Sequence, residues 1–413
     1  MTVRARGTIP TMTLDLVLVA VGALGIVVAS LSEKLRRLPV SEPLLALGLG
    51  IVLGPAATDL LSLPPLTEEH ASLHEGARVL LAVSVMAVAL RYPFRDVRRR
   101  LRPVAVLLLV AMPAMAVVST GLGWLVLGVP LATAALVGAA VTPTDPVLAS
   151  SVVTGKLAER DLPVRDREIL SLESGANDGL ALPLVIAALA LAGPLTGAEA
   201  LAESAWQVGG AVLLGAALGW LGGRALRLGE AYGATAHGPA LLFTVVLALA
   251  ILGASGLTRT DGVLAVFVGG LVFNLVSTGA DRTAELSIDE AVNRFAVLPL
   301  FVVLGAVLPW GAWGDLGWQG PVLAVAVLLL RRLPVLLLLA RPLRLRLRDA
   351  LYLGWFGPIG VSALFYLTLE AERLHVPEVV LAAGSLVLVA STVVHGLSGA
   401  PARAWFGRRV SNG

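Results

Sequence analysis

Apolar stretches of roughly twenty residues recur from one end of the chain to the other, parted by short polar turns. About 20 consecutive apolar residues is the length a helix needs to cross a bilayer. Thirteen such stretches can be marked, near 12–31, 39–55, 75–91, 103–127, 129–153, 167–192, 203–222, 236–254, 261–278, 290–309, 319–340, 349–369 and 377–397. The second is short, and only Gly128-Val129-Pro130 parts the fourth from the fifth. No polar segment between them is long enough for a soluble domain, so residues 1–413 read as one transmembrane domain. The predicted fold class is an all-α polytopic membrane protein with about 13 transmembrane helices.

Two of these stretches break their own pattern. Thr142-Pro143-Thr144-Asp145-Pro146 interrupts the fifth, and Glu173-Ser174-Gly175-Ala176-Asn177-Asp178-Gly179 interrupts the sixth. A carboxylate at mid-membrane depth costs about 3 kcal/mol or more, so it persists mainly where an ion or proton path needs it. Pro143 and Pro146 each lack an N–H, and each turns the residue before it away from the α conformation. The fifth helix should therefore be discontinuous. Seven stretches later Gly357-Pro358-Ile359-Gly360 interrupts the twelfth. An odd separation makes the two run in opposite directions, which predicts inverted repeats with two opposed discontinuous helices and an ion site near the midplane.

Charge in the loops then orients the chain. Arg and Lys gather in alternate loops: Lys34, Arg36 and Arg37; Arg91 to Arg102; Lys156 to Arg167; Arg224 and Arg227; Arg282; and Arg341 to Arg348. The tail adds Arg403, Arg408 and Arg409, and Arg259 and Arg373 are the exceptions in the intervening loops. By the positive-inside rule the N-terminus lies outside and the C-terminus in the cytoplasm, although Arg4 and Arg6 pull weakly the other way. The first stretch reads as a retained helix, since no small-residue cleavage site follows it. The composition agrees with a membrane protein: 57% hydrophobic and 14% charged, with a mean hydropathy of +0.87. A formal charge of +3 that sits in loops is no argument for nucleic acid, and the lack of cysteine removes disulfides and thiol chemistry.

This topology brings Asp145 and Asp178 to similar depth on antiparallel neighbours. Glu173, Asn177 and Asp178 share roughly one helix face, with Ser174 one turn before Asp178. The oxygens so gathered suit Na⁺, Li⁺ or H₃O⁺. Arg331-Arg332 lies near the centre of the eleventh stretch, too deep to snorkel, and needs a counter-ion. Glu173 is the candidate, with Arg331 as the expected partner in a structural ion pair and Arg332 as second choice. Other polar residues read as structural. Thr67, Glu68, His70 and His74 suit a solvated loop, His395 a packed helix, and Asp289, Glu290 and Arg294 an interfacial cap. Trp310, Trp313 and Trp318 suit an aromatic belt at the outer interface.

Thr144-Asp145-Pro146 followed by Glu173-Ser174-x-x-Asn177-Asp178 resembles the signature of Na⁺(K⁺)/H⁺ antiporters of the monovalent cation:proton antiporter 1 family. Similarity extends along nearly the whole chain, through Leu47 to Pro55, Asp261 to Gly270 and His395-Gly396-Leu397. The resemblance implies an NhaA-like antiporter fold, with inverted repeats and two crossed discontinuous helices: a mobile six-helix core bundle that includes the spans near 103–192 and 319–397, beside a panel of the remaining spans that forms a homodimer. It implies that Asp178 binds cation and proton alternately, with Na⁺ at Asp178 and Asp145. Ser174 and the main-chain oxygen of Thr144 complete the shell, and Asn177 orients the sixth span. Asn177 before the Asp implies electroneutral exchange. Pro143, Pro146, Gly357 and Pro358 mark the broken helices. One departure stands out, because Ile359 occupies a position where many relatives carry Arg.

The expected activity is secondary-active exchange of Na⁺, with Li⁺ or K⁺ as further candidates, for H⁺ across a bacterial-type plasma membrane. Desolvation disfavours a charged carboxylate; cation and proton each neutralise it, so a site holding either crosses the barrier more easily than an empty one. No cofactor and no ATP-binding motif is expected, and the protein reads as a transporter, not an enzyme. A K⁺/H⁺ antiporter and a Na⁺-coupled solute symporter are the alternatives. An intramembrane aspartyl protease would place Tyr-Asp and Gly-x-Gly-Asp around its acids, and neither surrounds Asp145 or Asp178.

Overall fold

A computed structural model of the chain describes residues 11–35, 38, 40–153, 155–234, 242–277 and 282–410. Arg4, Arg6, Arg36 and Arg37 lie outside the described residues, as do the side chains of Lys156, Arg282, Asp289, Glu290, Arg408 and Arg409. The described residues form helices and turns, with no strand among them. Among the described residues, seven helical segments are long and apolar enough to span a bilayer: Thr13–Ser30, Ala71–Arg91, Phe94–Leu127, Val164–Ala192, Gly197–Ala231, Gln319–Leu339 and Glu378–Phe406. Five shorter apolar helices are interleaved with them: Glu42–Leu53, Leu131–Ala140, Phe243–Thr258, Gly262–Val276 and Ala291–Ala306.

Both predicted discontinuities are present. The helix Leu131–Ala140 stops, residues 141–145 run without helical structure, and Pro146–Val153 resumes. The Thr142 hydroxyl folds back onto the Gly138 carbonyl at 2.6 Å, occupying an acceptor near the interrupted end. In the twelfth stretch Leu347–Trp355 and Val361–Arg373 flank the non-helical residues 356–360. A third break was not predicted. The eleventh stretch divides into Gln319–Leu330 and Leu333–Leu339 at Arg331-Arg332, with Pro334 in the first turn of the second piece. Pro334 supplies no N–H to the preceding turn and its ring crowds the carbonyl there, so the helix yields one turn earlier.

Small residues let backbones touch where helices cross, as is usual inside membranes. A Cβ at Gly50 would overlap the Val302 carbonyl, and one at Gly215 the Ala265 carbonyl. These glycines seat Glu42–Leu53 on Arg282–Ala306 and Gly197–Ala231 on Gly262–Val276.

The helix ends define two faces. On one, Arg100 bonds Glu168 at 2.5 Å, Arg165 bonds the Leu343 carbonyl at 2.8 Å and Arg403 lies 3.5 Å from Asp161. These contacts join the basic loops. On the opposite face Arg373 pairs with Glu203, and Trp206 donates to the Thr258 carbonyl at 3.4 Å. His74 corrects the loop reading. The helix Ala71–Arg91 begins a turn before the predicted span and buries it, stacked on Phe365 with Nδ1 3.0 Å from the Thr368 hydroxyl. Arg294 bonds Glu42, Nε to Oε1 at 2.7 Å, tying two helices together. His395 is packed as expected, Nε2 3.0 Å from the Trp355 carbonyl.

Candidate functional site at the crossing of two broken helices

The two breaks meet. The Asp145 N–H donates to the Pro358 carbonyl at 2.9 Å, so the non-helical segments lie against each other. The Asp145 carboxylate then serves two helix starts at once. Its Oδ1 accepts from the N–H of Val147 at 2.6 Å and of Leu148 at 3.2 Å, and its Oδ2 accepts from the Val361 N–H. The first turn of any helix leaves N–H groups unpaired and carries a partial positive charge. Asp145 answers both ends with one anion.

The opposite ends are answered by a cation. Arg331 donates through one nitrogen to the carbonyls of Val141, Thr142 and Pro143, at 2.5, 2.9 and 3.1 Å, and through the other to Gly357 at 2.5 Å. Those carbonyls belong to the two non-helical segments, just beyond where the first half-helices stop. The positive charge absent at Ile359 is thus delivered to the same crossing from a neighbouring helix. Ile359 itself is buried, with its N–H bonded to the Ser391 hydroxyl at 2.7 Å.

Arg331 is therefore not the partner of Glu173, which corrects the expected ion pair. Arg332 is. Its two terminal nitrogens bond the two Glu173 oxygens at 2.8 and 2.9 Å, and its Nε bonds the Leu353 carbonyl at 2.8 Å. Adjacent residues on a helix point about 100° apart, so one arginine reaches the crossing and the other the sixth span. A Cβ at Gly357 would run into the Arg332 side chain, so glycine is needed for that approach. Asn177 extends the pair: its amide donates to Glu173 at 3.0 Å and to the Thr144 hydroxyl at 2.6 Å, and its Oδ1 accepts from the Thr144 N–H at 3.2 Å. Ser174 lies 3.1 Å from the same hydroxyl. The structure brings Thr144, Glu173, Ser174 and Asn177 into one hydrogen-bonded group.

Asp178 stands apart from that group. Its side chain is fully buried, and neither oxygen has a hydrogen-bond partner among the described residues. The Ser362 hydroxyl lies beside it, near enough to interact with the carboxylate but outside full hydrogen-bond geometry to it, and Asp145 is within electrostatic reach. The two acids thus meet consecutive residues of one half-helix start: Asp145 bonds Val361 and Asp178 faces Ser362. Tyr366, one turn on, donates its hydroxyl to the main-chain carbonyls of Asp178 and Gly179. A Cβ at Gly179 would overlap Leu264, so the sixth span presses its backbone against the helix Gly262–Val276 here. Sequence reasoning missed Ser362 and Tyr366. Ser362 is the first polar residue after the second break, a position that the opposed-repeat reading could have marked.

A family model described as "Sodium/hydrogen exchanger, transmembrane" matches residues 22–405. Among curated relatives, the chain is 32% identical over 345 residues to "Na(+)/H(+) antiporter 2" of Zygosaccharomyces rouxii, covering 80% of this chain and 42% of the relative. It is 30% identical over 353 residues to the "Na(+)/H(+) antiporter" of Saccharomyces cerevisiae, covering 80% of this chain and 35% of the relative. The chain thus spans less than half the length of these relatives. Its fold is similar to the solved structure of the sodium proton antiporter MjNhaP1 from Methanocaldococcus jannaschii at pH 8, with a TM-score of 0.75 at 20% identity over 96% of this chain and 97% of that one.

Proposed function

The chain belongs to the sodium/hydrogen exchanger family, and from that premise we propose that it exchanges a monovalent cation, Na⁺ first, for H⁺ across a membrane. The observation that carries this reading is Asp178: a buried carboxylate with no hydrogen-bond partner among the described residues, beside the crossing of two broken helices. A buried anion without donors is costly unless something neutralises it. A bare cation and a proton both can, and they compete because they seek the same oxygens. Ser362 is placed to add a neutral oxygen, and Ser174 precedes Asp178 by one turn. Asp145 acts in this scheme chiefly through the two half-helix starts that it holds, so that cation binding at Asp178 reads against a fixed backbone. Thr144 and Asn177 lock the sixth span to the first break. Exchange is electroneutral, one cation for one proton, because one carboxylate serves both.

The core bundle comprises the spans near 103–192 and 319–397, which carry both breaks and all the buried charges of the crossing. The remaining spans form the panel, and two copies of the chain meet through it. The basic face lies in the cytoplasm, placing the N-terminus outside and the C-terminus inside a bacterial-type plasma membrane.

The test is exchange by purified protein in proteoliposomes, read as dissipation of an imposed ΔpH by a dye on addition of Na⁺, Li⁺ or K⁺ without organic solute. Na⁺ should collapse the gradient, and Asp178→Asn should abolish the response. Retained exchange in that variant would remove Asp178 from the site. A response to K⁺ alone would make the protein a K⁺/H⁺ antiporter. No response until a solute is added would make it a symporter.

A further inference from the structure

A cavity of about 520 Å³ opens on the face opposite the basic loops. Among the residues that line it are Arg259 and Arg373, the two exceptions to the alternation of loop charge. Their place in one cavity gives those exceptions a common location. Arg373 is held there by Glu203, and Arg78, also in the wall, by Glu75 at 2.8 Å.

The cavity also reaches toward the ion site. Leu182, one helical turn beyond Asp178, is part of its lining, and so is Asp261. Asp261 is only 5% exposed. Its Oδ1 accepts from the Leu264 N–H at 3.0 Å and so caps the helix Gly262–Val276, while its main-chain N–H donates to the Gln207 carbonyl at 3.3 Å. Its Oδ2 has no hydrogen-bond partner among the described residues. Capping takes one oxygen of a carboxylate, and Ser, Thr or Asn would cap as well. The second oxygen and the charge are surplus to that role. Asp261 lies within electrostatic reach of Asp178 and of Tyr366, whose hydroxyl bonds the Asp178 carbonyl.

We propose that Asp261 is a second binding site for the transported monovalent cation, and for the proton that competes with it, at the floor of the entrance from this face. The proposal rests on the exchange reading of Asp178 and adds to it the route from the non-basic side. An ion entering the cavity comes to Asp261, whose unpartnered Oδ2 is buried just behind the lining, before it reaches Asp178. Arg373 and Arg78 of the cavity wall are paired with Glu203 and Glu75, Arg259 also lines it, and Asp261 takes part in no ion pair among the described residues.

The experiment compares the two faces of one membrane. Asp261→Asn and Asp261→Ser both keep a capping oxygen and remove the charge. Each is measured in right-side-out and in everted membrane vesicles for the Na⁺ concentration that gives half-maximal ΔpH dissipation. That concentration should rise about tenfold when Na⁺ is offered from the cavity face, and less than about twofold from the basic face. An unchanged value from the cavity face in both variants overturns the proposal. So does an equal rise from both faces, which would mark Asp261 as a residue acting through the fold. Gel filtration in detergent reads folding, and loss of the folded species in both variants also counts against it, because the cap is retained. Asp178→Asn, run alongside, separates the two claims. If it abolishes exchange from both faces while the Asp261 variants behave as wild type, only this inference fails; if it retains exchange, the reading beneath fails.

Discussion

Of the four buried acids on the helix Val164–Leu180, Glu173 and Asp178 lie five residues apart, and the surrounding protein treats them oppositely. Glu173 is 1% exposed and receives two bonds from Arg332 and another from Asn177. Asp178 is 0% exposed and receives none among the described residues. Burial does not distinguish them; the count of donors does. A buried charge with a full set of donors holds helices together and stays as it is. A buried charge without donors is open to whatever arrives to neutralise it. The same division runs through the molecule. The crossing, with Asp145, Arg331, Glu173 and Arg332, is closed by hydrogen bonds, while Asp178, Ser362 and Asp261 each keep at least one oxygen without a partner among the described residues.

The strongest way to break this contrast is to strip the closed side. Arg332→Met leaves Glu173 buried and unpaired, and removal of one partner from a buried ion pair costs about 3–5 kcal/mol. Thermal unfolding in detergent should show the loss, and adding Glu173→Met should return most of it, because an apolar pair of similar volume tolerates the same burial. If the double variant were no better than the single, the pair would not act as a unit. Arg331→Leu comes next. It leaves the carbonyls of Val141, Thr142, Pro143 and Gly357 without their donor, and bonds from a charged group are worth about 1.5–3 kcal/mol each before partial rescue by water. A net loss of about 2–3 kcal/mol is expected. Arg331→Lys should recover part, since it restores the charge but not the planar fork that spans both breaks. A lysine variant as stable as wild type would show that charge alone compensates the carbonyl ends.

How much of this could be read beforehand follows from what a linear sequence encodes. Two of the breaks were legible because Pro143 with Pro146, and Pro358 between Gly357 and Gly360, gather helix-breaking residues within a few positions, whereas single prolines such as Pro103, Pro299 and Pro401 sit inside continuous helices. The acids were legible because a charge within an apolar stretch is conspicuous at any depth. The choice between Arg331 and Arg332 was not, because it depends on helix rotation and on the break ahead of Pro334, and neighbours in sequence face about 100° apart. Asp145 reads from the sequence as a cation ligand. Its capping of Val361 escaped notice because that half-helix comes from a stretch some two hundred residues away. Ser362 and Tyr366 carry no charge, so nothing in the local pattern set them apart from ordinary polar residues of a membrane helix. His74 was misread for a simpler reason: the helix starts one turn before the apolar pattern does.

The smallest expected effect on stability is the most discriminating. Asp178→Asn removes no hydrogen bond made by the carboxylate oxygens to any described residue and takes an anion out of the protein interior. Its unfolding temperature in cation-free buffer should therefore match or slightly exceed that of wild type, in contrast to the Glu173 and Arg332 variants. Added Na⁺ provides the second half of the measurement. A ligand that binds only the folded state stabilises it by about 2.7 kcal/mol at a hundred times its dissociation constant. Wild type should gain stability as Na⁺ is raised against a choline control, and Asp178→Asn should gain less, keeping only what binding at Asp261 supplies. A variant that is less stable than wild type without cation would mean that Asp178 has donors of its own and belongs with Glu173. A variant that gains as much stability with Na⁺ as wild type would move cation binding away from Asp178, and a gain that survives the combined substitution Asp178→Asn with Asp261→Asn would remove it from both acids.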